Sequence, residues 1–184
     1  MDRVGDSLDA ALEKAFTRPI PSGAGARMRF LVRQLKGTGP VARLLGVSRR
    51  TVERYVKDQI RHPRPELARR LEREVTKRWQ PRVRARARQT AATSAGLVID
   101  TRARFGYTAA PGTTDDARLR HLTVALPPEY AARLFEAREA GRSERHLRDI
   151  AAEGLQEIYF RDRGRRAQGL LVEFTDVEYL DFDL

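Results

Sequence analysis

Proline and glycine cut the first eighty residues of this 184-residue chain into short segments, and this limits the possible folds more than any other feature. Proline ends or kinks a helix, and glycine weakens one. The breaks fall at Pro19 and Pro21, at Gly37-Thr38-Gly39-Pro40, at Gly46, at Pro63 and Pro65, and at Gln80-Pro81. Between them apolar residues recur at helical spacing. Leu8, Leu12, Ala15 and Phe16 follow the capping pair Asp6-Ser7, Met28, Leu31, Val32 and Leu35 lie within 22–36, and Leu67, Leu71 and Val75 lie within 66–79. The N-terminal half therefore reads as an all-α unit of short helices.

Residues 38–56 carry the most specific pattern. Pro40 suits the first turn of a brief helix ending at Leu45, Gly46 supplies a tight turn, and Ser48 caps the next helix. Ala42 lets two helices cross closely while Val41, Leu45, Val47, Val52 and Tyr55 close a small core. Ser48, Arg49, Arg50 and Arg54, followed by Lys57, then lie on the outer side of the second helix. This is the side that a helix-turn-helix lays in the DNA major groove, where arginine forks onto guanine or holds phosphate. Glu53 shares that surface and must pair with Arg49, Arg50 or Lys57, or read a cytosine amino group. An ordinary helical hairpin needs only the apolar spacing and the glycine.

Charge supports a polyanion partner. Residues 1–90 contain 23 basic and 9 acidic side chains, a net of +14, whereas 91–184 contain 13 and 16, a net of −3. A concentrated positive field is what a phosphate binder uses, because neutralising phosphates releases counterions. Arginine recurs at every second position in Arg82, Arg84, Arg86 and Arg88. As a strand this segment shows four arginines on one face, and as a helix begun by Pro81 it spreads them around the surface. Either form is a basic arm suited to the DNA backbone. Trp79 beside it either stacks on an unpaired base or joins the core.

Residues 90–96 are small and polar, a hinge between the halves. Alternation of period two from Leu97 to Tyr107 predicts a strand, Pro127-Pro128 opens a helix through Tyr130, Leu134 and Phe135, and Ser143 begins another through Leu147, Ile150 and Leu155. The end alternates again through Val172, Phe174, Leu180 and Phe182. Its acids (Glu173, Asp176, Glu178, Asp181, Asp183) cannot contact phosphate, but they suit a strand beside Arg102 and Arg104. The expected fold is mostly α, with an N-terminal helix-turn-helix bundle and a smaller α+β C-terminal half. The expected division is 1–80 for DNA binding, 81–96 for the arm and linker, and 97–184 for the α+β part.

Several chemistries are excluded. With no cysteine there is no thiolate nucleophile or Cys-rich zinc site, and His62, His121 and His146 are too scattered for a local metal motif. No triad spacing or phosphate-binding glycine loop occurs, so the chain does not read as an enzyme. Asp115-Asp116 and Asp181-Phe182-Asp183 could each lend carboxylates to Mg²⁺, although such pairs more often cap helices or face solvent. No apolar run approaches the roughly 20 residues of a membrane span, and no secretory core follows Met1, which points to the cytoplasm.

Five blocks together resemble a known family. They are residues 16–21 (Phe-Thr-Arg-Pro-Ile-Pro), 46–57 (Gly-Val-Ser-Arg-Arg-Thr-Val-Glu-Arg-Tyr-Val-Lys), 78–88 (Arg-Trp-Gln-Pro, then the arginine repeat), 102–108 (Arg-Ala-Arg-Phe-Gly-Tyr-Thr) and 149–159 (Asp-Ile-Ala-Ala-Glu-Gly-Leu-Gln-Glu-Ile-Tyr). In order and composition they resemble the telomere-capping terminal proteins (Tpg type) of linear Streptomyces chromosomes and plasmids. Only the first ten or so residues and the stretch from Arg120 to Leu126 are uncharacteristic. The resemblance implies covalent attachment to the 5′ ends of linear DNA through a threonine hydroxyl that primes end-patching opposite a single-stranded 3′ overhang. Carried onto this chain, that hydroxyl falls in Gly112-Thr113-Thr114-Asp115-Asp116, with Thr114 first and Thr113 second. The implied partners are telomeric DNA, a telomere-associated recruiting protein and a DNA polymerase, at replicon ends in the bacterial nucleoid. No intrinsic cofactor is implied, since Mg²⁺ and deoxynucleotide enter with the polymerase reaction. Asp115 or Asp116 could orient the hydroxyl or cap a helix.

The rival reading is a helix-turn-helix transcription regulator whose acidic half binds a ligand or dimerises. A homodimer would require DNA half-sites roughly 34 Å apart. A Mg²⁺-dependent nuclease using the acid pairs has no constellation to support it.

Overall fold

The computed structural model describes residues 4–108, 119–160 and 171–184. Its elements run α1 (Val4–Lys14), α2 (Ala24–Gln34), α3 (Thr38–Leu45), α4 (Arg49–Val56), α5 (Pro65–Arg78), α6 (Pro81–Thr90), β1 (Leu97–Thr108), β2 (Leu119–Leu126), α7 (Pro128–Glu139), α8 (Glu144–Leu155) and β3 (Leu171–Asp183). The fold is mostly helical, with a small antiparallel sheet in the C-terminal half, as expected. No helix among the described residues is long and apolar enough to cross a membrane.

The chain forms two compact units, Phe16–Pro81 and a second made of Met1–Ala15 with Arg82–Leu184. This corrects the division into 1–80, 81–96 and 97–184, because α1 belongs to the sheet-containing unit. Its apolar face of Val4, Leu8, Ala11 and Leu12 is buried in the same cluster as Leu97, Ile99, Leu134 and Phe182. Helical spacing shows that α1 has an apolar face and says nothing about which core receives it. Residues 81–96 are no free linker either. The arginine repeat resolves as α6, which runs into a π-helical turn over Ala91–Ala95 ending at Gly96.

In the helix-turn-helix unit, α2, α3, α4 and α5 enclose Met28, Leu31, Val41, Leu45, Val52, Tyr55, Leu71 and Val75. Trp79 stands edge-on to Phe30, with ring centroids 5.1 Å apart, and its indole N–H donates to the Arg18 carbonyl at 3.1 Å. That places it against the core.

In the second unit the strand order is β2-β1-β3, with both pairs antiparallel. The period-two pattern of β1 sends Leu97, Ile99, Thr101, Ala103 and Phe105 inward, together with Leu122, Val124 and Leu126 from β2 and Val172, Leu180 and Phe182 from β3. Helices α1, α7 and α8 cover this side. Gly96, at φ +74°, leads into β1 so close to the Leu126 carbonyl that no Cβ fits. The expected pairing of the acidic strand with the arginine strand is present, since Arg102 stands opposite Tyr179 and Arg104 opposite Asp176, and Arg102 Nε lies 3.0 Å from Glu178. Strand β2, by contrast, has no counterpart in the sequence expectations.

Polar contacts lock α1 in place. Buried Ser7 accepts from the Phe182 amide at 2.9 Å and donates to Asp181 at 3.2 Å. Asp9 joins Arg84 at 3.1 Å to Arg138 at 2.8 Å, and Glu144 accepts from the Gly5 amide at 3.2 Å. If α1 is part of the sheet core, Leu8→Ala should destabilise the second unit by about 2–5 kcal/mol, the cost of truncating a fully buried leucine. Calorimetry should show that loss in the transition reported by Tyr130 and the sheet, with the Trp79 fluorescence transition unmoved. A matched shift in both would contradict the division.

Candidate nucleic-acid interface

The redrawn boundary sharpens the charge pattern. Residues Phe16–Pro81 contain 17 Lys or Arg and five Asp or Glu, a net of +12, while the rest of the chain holds the other 19 basic and 20 acidic residues, a net of −1. The whole positive excess of +11 thus resides in the helix-turn-helix unit.

Local sequence sets the orientation of α4. The Gly46 backbone, at φ 64° and ψ 40°, ends α3 in the left-handed conformation, with the Val47 amide donating to the Ala42 carbonyl at 3.0 Å and the Gly46 amide to Arg43 at 3.3 Å. Ser48 then caps α4, its hydroxyl accepting from the Thr51 amide at 3.1 Å. Buried Val52 and Tyr55 fix the inner side, and burial pushes the Tyr55 phenol above its usual pKa, keeping it neutral there. Ser48, Arg49, Arg50, Arg54 and Lys57 are consequently all exposed on one helix and its ends. Glu53 is exposed among them.

A second support for α4 comes from α2. A Cβ on Gly25 would strike the Asp58 carboxylate and come within 2.9 Å of the Tyr55 carbonyl, so α2 approaches the end of α4 at a distance only glycine permits. One turn on, Arg29 Nη1 donates to the otherwise orphaned Val56 carbonyl at 2.9 Å and pairs with Asp58 at 2.7 Å. Together these pin the C-terminal end of α4 against α2. Sequence reasoning missed this support. A glycine followed four residues later by arginine is the visible signal, but its meaning depends on which helix lies opposite.

The basic arm divides into two pairs. Arg84 turns inward to Asp9, and Arg88 pairs with Glu139. Burial, then the repulsion of Arg84, pulls the Arg88 guanidinium below its usual pKa against the attraction of Asp9. Arg82 and Arg86, one turn apart, face solvent. Of the four arginines, only this outer pair is presented for phosphate contact, and the inner pair holds α6 to its own unit.

Thr113 and Thr114, with Asp115 and Asp116, lie outside the described residues, in the connection from β1 to β2. Asp181 and Asp183 serve structure instead, Asp181 accepting from Ser7 and Asp183 lying 3.3 Å from Lys14. Among the described residues, no group of three His, Asp or Glu side chains could hold a metal ion.

Sequence reasoning also missed a polar cluster on the uncovered side of the sheet. Asp100 Oδ1 lies 2.8 Å from His121 Nε2 and accepts from the hydroxyls of Thr123 and Tyr179 at 3.3 Å, while the Tyr179 oxygen is 2.7 Å from the same imidazole nitrogen. A carboxylate only accepts, so the contact with Asp100 suits the tautomer that carries hydrogen on Nε2. Alternation along β1 and β2 contains the signal, but it is readable only once β2 is recognised as a strand.

No family model matches the chain, and neither a curated protein nor a solved structure is significantly similar to it.

If α4 is the reading helix, Arg49→Ala or Arg54→Ala should each weaken duplex binding by about 1–3 kcal/mol in a titration at fixed salt. Replacing both Arg82 and Arg86 by alanine should lower the salt-dependence slope by about 1.8, two phosphate contacts' worth. Arg84→Ala should leave that slope unchanged and lower the melting temperature of the second unit.

Proposed function

We propose that this chain is a DNA-binding terminal protein that caps the 5′ ends of linear replicons and primes their end-patching through a threonine hydroxyl. One observation carries the DNA-binding part: the whole excess positive charge resides in a unit whose capped α4 presents Ser48, Arg49, Arg50 and Arg54 to solvent. Arginine on such a helix can read guanine edges in the major groove, and the surrounding field supplies sequence-independent phosphate attraction. The priming part rests on the resemblance to telomere terminal proteins over the five sequence blocks.

In the proposed reaction the Thr114 Oγ, with Thr113 as second choice, attacks the α-phosphorus of a deoxynucleoside triphosphate. A phosphoester bond forms to the threonine oxygen, the bond to the β-phosphate breaks, pyrophosphate leaves and the hydroxyl proton passes to solvent. The nucleotide 3′-OH is then free for extension. Catalysis belongs to the polymerase, whose Mg²⁺ ions stabilise attacking and leaving oxygens. This chain contributes the alcohol and holds it near the overhang, with a telomere-associated protein recruiting it. Such a protein works in the bacterial cytoplasm, at the replicon ends of the nucleoid. The same helix pair would equally serve a transcription regulator, which needs no covalent step.

Incubation with labelled deoxynucleotide, telomeric template, polymerase and Mg²⁺ should yield label on the wild-type chain that survives denaturation. Thr114→Val should lose it. Equal labelling of both assigns the bond to another side chain, and no label on either leaves the regulator reading.

A further inference from the structure

The helix-turn-helix unit carries a second cationic face that the recognition helix does not account for. Arg69, Arg73 and Lys77 stand at every fourth position of α5, opposite the side that buries Leu67, Leu71 and Val75, and all three are exposed. Among the described residues none of the three has an ion-pair partner. The nearby acids are engaged elsewhere, since Glu72 binds Arg27 at 2.8 Å and Glu74 pairs with Arg78, leaving Glu66 alone in the first turn. Like charges four residues apart destabilise a helix by about 0.2–0.5 kcal/mol per pair, so the stripe opposes folding unless an anion covers it.

We infer that this α5 face holds the phosphate backbone of a second duplex segment while α4 occupies the first. The inference rests on the DNA-binding reading of α4. Successive charges are about 6 Å apart along the helix axis, so the stripe covers about 12 Å. A DNA strand presents one phosphate per roughly 3.4 Å, enough to meet all three side chains along one backbone. Helices α4 and α5 both pack on α2 and α3, and their inner residues enter one cluster. Each helix therefore turns its own outer face to solvent, and in this proposal each face engages its own DNA segment. A folded or looped end supplies both segments from one molecule.

The test compares the full-length wild type with Arg69→Gln/Arg73→Gln/Lys77→Gln, because glutamine keeps helix propensity and removes the charge. Each is mixed with a bead-bound duplex, and capture of a second, fluorescent duplex is measured with rising salt. Anisotropy on a single duplex runs in parallel, and sedimentation without DNA reports self-association. The wild type should capture the second duplex, and the triple variant should lose capture about tenfold or more, with a salt slope lower by about 2.7. Its single-duplex affinity should change less than threefold. Undiminished capture, or a wild type that captures nothing, overturns the proposal, as does a variant that loses only self-association, which would make an acidic protein surface the partner. An Arg49→Ala/Arg54→Ala variant with unchanged single-duplex affinity instead refutes the α4 reading. Should the triple variant melt early, Arg73→Gln alone gives the same comparison, with a slope change of about 0.9.

Discussion

The close crossing of α2, α3 and α4 decides what the helix-turn-helix unit shows to solvent. Three contacts set it: the left-handed turn at Gly46, the glycine contact of Gly25 with the end of α4, and the burial of Leu45, Val52 and Tyr55. With the inner side of α4 fixed by Val52 and Tyr55, Arg49, Arg50 and Arg54 are left facing outward. Arg29 adds a charged hydrogen bond to the last turn, where orphaned carbonyls concentrate negative potential. A basic helix is thus presented by a rigid frame, which is the requirement for reading a groove rather than merely attracting phosphate.

Charge is partitioned along the same boundary. The helix-turn-helix unit holds the excess, and the sheet-containing unit neutralises itself through Asp9 with Arg84 and Arg138, Arg88 with Glu139, and Arg102 with Glu178. Glu178, Asp181 and Asp183 of β3 accordingly act within their own unit, bonding β1 and α1. Partly exposed pairs of this kind each contribute under about 1 kcal/mol, so their main effect is to place α1 and α6 rather than to stabilise the sheet core.

Much of this is legible in the amino-acid order alone. Ser48 as a cap, Gly46 as a turn, the inward set of β1 and the pairing of acidic β3 with arginine-bearing β1 all follow from local propensity and periodicity, which each short segment carries by itself. The features that escape such a reading depend on distant partners. The apolar face of α1 fits either core by its spacing, and Ser7 and Asp9 acquire meaning only beside Phe182 and Arg84. Strand β2 is hidden although Leu122, Val124 and Leu126 alternate, because of the residues between them only Thr123 is polar and Ala125 blurs the period-two contrast. The inward turn of Arg84 and Arg88 requires both the helical form of α6 and the neighbouring carboxylates.

The central claim is that α4, in the unit that holds the excess charge, meets DNA. Amide chemical shifts of the full-length protein titrated with duplex DNA test it residue by residue. Binding through α4 predicts the largest changes from Ser48 to Lys57, with Val98, Asp100 and Thr123 on the sheet unmoved. Changes centred on β1 and β2 with α4 silent would contradict it.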